Sequence, residues 1–93
     1  MRASSARAWL QGDPRRVIAG ALVLRRDALE FRVGRRALRV PLDAITEVGP
    51  HGPFAGNFRV AWRIVRVDVE MVWNVDEVEA WLEALQSARS APR

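Results

Sequence analysis

The chain has 93 residues, 49% of them hydrophobic, with no cysteine and a formal net charge of +4. That length suits one domain, which buries only about two-thirds of its unfolded surface and leaves little room for a deep substrate cavity. The lack of cysteine excludes disulfides and thiolate metal sites.

The longest apolar stretch, Val17 to Leu24, falls well short of the roughly 20 residues of a spanning helix. The N-terminus has arginines and a Ser-Ser pair but no apolar leader core, so a cytoplasmic location is the expectation. All 15 basic residues are arginine. Guanidinium forks suit phosphate and carboxylate, although a GC-rich genome produces the same excess over lysine. Residues 1–41 hold ten arginines against three acids, +7, whereas 42–93 hold five against eight, −3. Such polarity attracts anionic partners to one side, or a second copy of the chain.

Residues 1–14 read as a weakly ordered lead-in. Ala8-Trp9-Leu10 is their only apolar cluster and Gly12-Asp13-Pro14 a turn. Trp9 is expected to pack onto the domain as a lid over an open edge. Val17 to Leu24 reads as a strand buried on both faces, with Gly20 at a bulge or bend. After the polar turn Arg25-Arg26-Asp27, Leu29, Phe31 and Val33 alternate with Glu30 and Arg32, the period of a half-buried strand. Gly34-Arg35 offers a hairpin turn. Leu38, Val40 and Leu42 form the next alternation, in which Pro41 demands an edge or a strand end. Ile45 to Val48 is a short fourth strand, and residues 49–57, with three glycines and two prolines, form a loop.

Phe58, Val60, Trp62 and Ile64 alternate in one phase, and Val65, Val67, Val69, Met71 and Trp73 in the other. Two strands joined by a hairpin account for the slip better than one strand of some sixteen residues. A helix follows over roughly residues 75–88. Asp76 with Glu79, or Asn74 with Glu77, has capping-box spacing, and Val78, Trp81, Leu82 and Leu85 form one apolar stripe. The domain therefore spans 15–88 and residues 89–93 form a flexible tail. The fold class is mainly β with one C-terminal α-helix.

The runs Gly20-Ala21-Leu22-Val23-Leu24, Ala28-Leu29-Glu30-Phe31 and Val40-Pro41-Leu42-Asp43-Ala44-Ile45 resemble the bacterial pleckstrin-homology-like and GRAM-type domains. Val78 to Leu85 resembles their capping helix. The resemblance implies a partly open antiparallel barrel of six to seven strands capped by the helix. The alternations supply six strands, so a seventh would have to come from residues 8–12.

No nucleophile–base pair stands out, and the lone His51 has neither a second histidine nor a cysteine to form a triad or metal site with. No catalytic, cofactor or metal residues are assigned, and the chain is read as a non-enzyme without cofactors. Asp68 and Glu70 share a strand face and are expected to meet Arg59, Arg63 or Arg66 in a charge ladder. Antiparallel succession brings Arg15 and Arg16 towards Arg35 and Arg36 at one barrel end. Arg25 and Arg26 fall at the other, about 20 Å away at 3.3 Å per residue.

Arg15, Arg16, Arg35 and Arg36 are the candidate anion- or partner-binding residues, with Arg25, Arg26, His51 and Phe54 secondary. In inositide-binding relatives of the resembled family a basic-x-basic run occupies the second strand. Glu30-Phe31-Arg32 places an acid there, against specific inositide binding. Phe31, Trp62 and Trp81 read as core, which disfavours base stacking and so nucleic acid. The leading expectation is a module binding a protein or peptide, self-association through a strand edge included. The alternative is peripheral binding to an anionic membrane through the arginine-rich end.

Overall fold

Seven antiparallel strands form one sheet, followed by a single C-terminal helix, in the computed structural model, which describes residues 1–52 and 56–90. The strands are β1 (Arg2–Leu10), β2 (Ile18–Leu24), β3 (Ala28–Val33), β4 (Arg36–Pro41), β5 (Ile45–Pro50), β6 (Asn57–Ile64) and β7 (Val67–Asn74), and the helix is α1 (Val78–Ser90). A 3-10 turn, Leu42–Ala44, joins β4 to β5. The strand order is β4-β3-β2-β1-β7-β6-β5, so β4 and β5 are the two edges and the sheet stays open between them. This is the expected class, mainly β with a C-terminal helix.

The missing strand is β1, and it corrects the reading of residues 1–14 as a loose lead-in. It lies mid-sheet, paired with β2 on one side and β7 on the other. Met1 extends the ladder, exchanging backbone bonds of 2.8 and 3.3 Å with Leu24. Its alternation escapes notice because the buried positions are small, Ala6 and Ala8, and alanine is a poor strand former. Trp9 is consequently no lid over an edge: it pairs with Val72 inside the sheet.

Small inner residues at the sheet centre have a packing reason. The Phe31 ring on β3 reaches the Trp73 ring on β7, three strands away in the sheet, at 6.0 Å. The sheet must curl for that contact, and Ala6, Ala8 and Gly20 leave room on the inner face. The register shift between Ala3 and Ala6, where β1 carries an extra residue against β2, bends the strand in the same region. Gly20 itself marks a close approach: a Cβ there would stand 2.5 Å from the Arg32 carbonyl oxygen and 2.9 Å from the Phe31 ring.

Trp73 also stacks near Phe58 (5.9 Å) and Trp62 (6.4 Å), and Phe58 near Trp81 of α1 (6.4 Å, 12° between planes). Leu85 joins Trp81 in the core, and Val78 and Leu82 pack at its margin, so the apolar stripe faces inward as its spacing requires. The helix starts later than expected, at Val78. Trp81 N–H donates to the Glu77 carbonyl (3.1 Å), which puts Glu77 at the cap position, and Asp76 makes no capping bond.

The C-terminal end is also longer than expected. Arg89 donates to the Ile45 and Thr46 carbonyls (3.4 Å each) and Gln86 to Val48 (3.2 Å). These bonds tie the last turn to β5 and carry the helix through residues 89 and 90, which were expected to be tail.

Candidate functional site

Register places three connections at one end of the curled sheet. Leu10 of β1 pairs with Met71 of β7, and the Gln11 N–H donates to the Glu70 carbonyl. The β1–β2 connection, residues 11–17, therefore lies beside the β6–β7 turn. Ala21 pairs with Arg32 and Val33 with Arg36, which brings the β3–β4 turn to the same end. Arg15, Arg16, Arg35 and Arg36 thus gather there as the alternation implied, joined by Arg66 from the β6–β7 turn. All five are exposed. Arg16 has one weak, solvated pair with Asp13 at 3.5 Å. Arg15, Arg35, Arg36 and Arg66 have no ion pair among the described residues.

The apolar surface is concentrated at the same place. Eight large hydrophobic side chains are exposed among the described residues, and seven of them, Leu10, Val17, Ile18, Val33, Ile64, Val65 and Val67, belong to this end. Most have a simple structural origin. Ile18 pairs with Ala8, Val33 continues the phase of Phe31, and Ile64 pairs with Val67 in the phase of Trp62. They are inner-face residues of a sheet whose helix packs on β5 and β6 and leaves this mouth uncovered. Exposed apolar side chains concentrated at one end, beside unpaired cations, mark an interaction surface.

The β6–β7 turn carries the most exposed of these side chains. Val65 is 89% exposed and has φ +57°. A β-branched residue is strained there, by about 1–2 kcal/mol. Positive φ at the first of two loop positions, and not at the second, is the pattern in which glycine is favoured.

The opposite end differs. Glu30, on the outer face of β3, is held by Arg25 at 2.9 Å, with Arg39 at 3.8 Å and Arg32 at 3.9 Å, and Arg39 also reaches Asp27 at 2.8 Å. The hydrogen bond from Arg25, reinforced by the charges of Arg25, Arg32 and Arg39 and opposed by partial desolvation, lowers the Glu30 carboxyl from its ordinary value. A depressed native value stabilises the fold above the unfolded value of about 4.3, and that contribution is lost as pH falls through the native one. Glu30→Gln should therefore lower the stability plateau near neutral pH and flatten the acid limb of a stability–pH profile, as urea midpoints at pH 2–7 would record. Arg25 is thus already neutralised. Arg26 has no partner among the described residues.

The outer ladder on β5–β7 forms partly as expected: Arg59 meets Glu47 (3.2 Å) and Glu70 (3.1 Å), and Arg63 meets Asp68 (3.8 Å). Arg66 stays outside it. His51 lies at the end away from the mouth, its backbone N–H donating to the Asn57 carbonyl (3.2 Å). Asn57 Oδ1 is taken by Asn74 Nδ2 at 2.7 Å. No group of three or more potential metal ligands assembles among the described residues, and Phe54 lies outside them. Among the described residues no helix is long and apolar enough to cross a membrane.

The two sheet edges are unequal. Gln86 and Arg89 occupy three carbonyls of β5. The β4 edge is open but carries Arg36, Arg39 and Pro41, residue types by which edge strands resist further pairing.

No protein-family model matches the chain, and no curated protein matches it. Among solved structures, the C-terminal domain of an unknown protein from Leishmania infantum is similar in fold, with a TM-score of 0.71 and 16% identity over 94% of this chain and 81% of that one.

Proposed function

We propose that the protein is a non-enzymatic docking module of pleckstrin-homology-like type whose open mouth binds an anionic membrane surface. One observation carries the reading: among the described residues, seven of the eight exposed large apolar side chains share an end with Arg15, Arg35, Arg36 and Arg66, four arginines that form no ion pair there. Such a surface gains from apolar burial at the lipid interface and about 1 kcal/mol for each arginine near anionic headgroups.

The chain should co-sediment with phosphatidylserine-containing vesicles and not with phosphatidylcholine alone, and salt should weaken binding as the Debye length falls. Absence of binding at low salt contradicts the reading. Val65→Gly should raise stability by about 0.5 kcal/mol, since the relieved strain exceeds the added chain entropy. It should also weaken vesicle binding, because the most exposed apolar side chain is gone.

Strand addition of a peptide or second copy at β4 is a second reading, favoured by the outward side of that edge strand, which pairs with no other strand. A strict monomer by light scattering, with no peptide recovered in pull-downs, would remove it.

A further inference from the structure

Inside the mouth lies a groove of about 300 Å³ between β2–β4 on one side and β7 on the other. Ile18, Phe31, Val33, Leu38 and Met71 supply its apolar lining with Ala37, and Arg36 is its only charged residue. We infer that this groove takes a single aliphatic chain bearing an anionic head, with the chain against Phe31, Leu38 and Met71 and the head on Arg36. The inference extends the membrane reading, on which it rests for the location of the mouth, to recognition of an individual amphiphile.

Three features select that chemistry. The N–H and C=O groups of β3 are consumed on both sides, by β2 and β4. At Phe31 the groove therefore offers a polar ligand no free backbone hydrogen bond, and a peptide or sugar placed against that ring would lose its hydration without replacement. A hydrocarbon chain loses nothing and buries the floor formed by Phe31 and Met71. Arg36, opposite Val33 at the lip, is exposed and unpaired, so its guanidinium is free for the bidentate contact that phosphate or carboxylate provides. No acid lines the groove to compete for it.

The test is calorimetric titration of the full chain with hexyl and octyl phosphate below their micelle concentrations, with octanol and inorganic phosphate as the separated halves of the ligand. Octyl phosphate should bind more tightly than either half, and affinity should rise by about twofold to fourfold per added methylene. Arg36→Gln should weaken octyl phosphate about tenfold and leave octanol unchanged. Val33→Trp, which fills the lip from an exposed position, should weaken both.

No saturable binding of octyl phosphate, equal affinity for octanol, or equal affinity for inorganic phosphate would overturn the inference. Anionic vesicles form the parallel arm. A chain that binds vesicles but no monomeric amphiphile sinks the groove assignment alone. One that binds octyl phosphate but no vesicle sinks the membrane reading alone.

Discussion

Trp81→Ala should lower stability by about 4 kcal/mol, within the range for truncating a buried aromatic. The ring is 2% exposed, stacked on Phe58, and is the main side chain by which α1 joins the core. Its loss opens a cavity between the helix and β6 that neither backbone is free to close, because Gln86 and Arg89 still hold the helix to β5. A domain of this size has a total stability of about 5–14 kcal/mol, so the variant should be close to unfolding at body temperature. The urea midpoint should fall at an unchanged slope. Trp81→Phe, which keeps a ring beside Phe58, should recover more than half of the loss. A loss below about 1 kcal/mol for the alanine variant would mean that the helix does not close the core.

Gly20→Ala should cost about 3 kcal/mol, the upper end for overpacking. One methyl group is added, yet it meets a backbone carbonyl, that of Arg32, at 2.5 Å. A side chain would rotate away, but a backbone oxygen in a paired strand moves only with its strand. β3 would shift, and Phe31 would lose its edge-on contact with Trp73. The melting temperature should drop by about 4–8 °C for each kcal/mol. Gly49→Ala is the matched control, because a Cβ there meets nothing within 4 Å. Equal effects of the two substitutions would show that strand propensity, and not the close approach, sets the cost.

The sequence made some of this legible and hid the rest, for physical reasons. Large apolar residues in alternation revealed β3, β4, β6 and β7, and the phase slip at Ile64-Val65 marked the hairpin. The stripe Val78, Trp81, Leu82 and Leu85 revealed α1. The strand β1 stayed hidden because the curl of the sheet demands Ala6 and Ala8 exactly where a flatter sheet would carry large side chains.

The candidate site was half legible. Antiparallel succession alone decides that residues 11–17 and the β3–β4 turn share an end, so Arg15, Arg16, Arg35 and Arg36 could be grouped without coordinates. The apolar half could not. Alternation assigns Ile18, Val33, Ile64 and Val67 to the inner face correctly, but it does not say that the inner face ends in solvent. That depends on where the helix packs. The neutralisation of Arg25 by Glu30 was likewise out of reach, since it depends on neighbours contributed by β3, β4 and the turn before β3.

The most direct test of the account compares two double variants on anionic vesicles. Arg35→Glu with Arg36→Glu reverses the mouth. Arg2→Glu with Arg26→Glu makes the same change in net charge at the opposite end, on exposed arginines with no ion pair among the described residues. The account predicts that the first loses about 30-fold or more in affinity, at about 1 kcal/mol for each lost arginine. The second should stay within about threefold of the unmodified chain, because screening confines its effect to its own end. Equal losses in the two variants would contradict it: binding would then follow net charge, and the mouth would not be the docking surface.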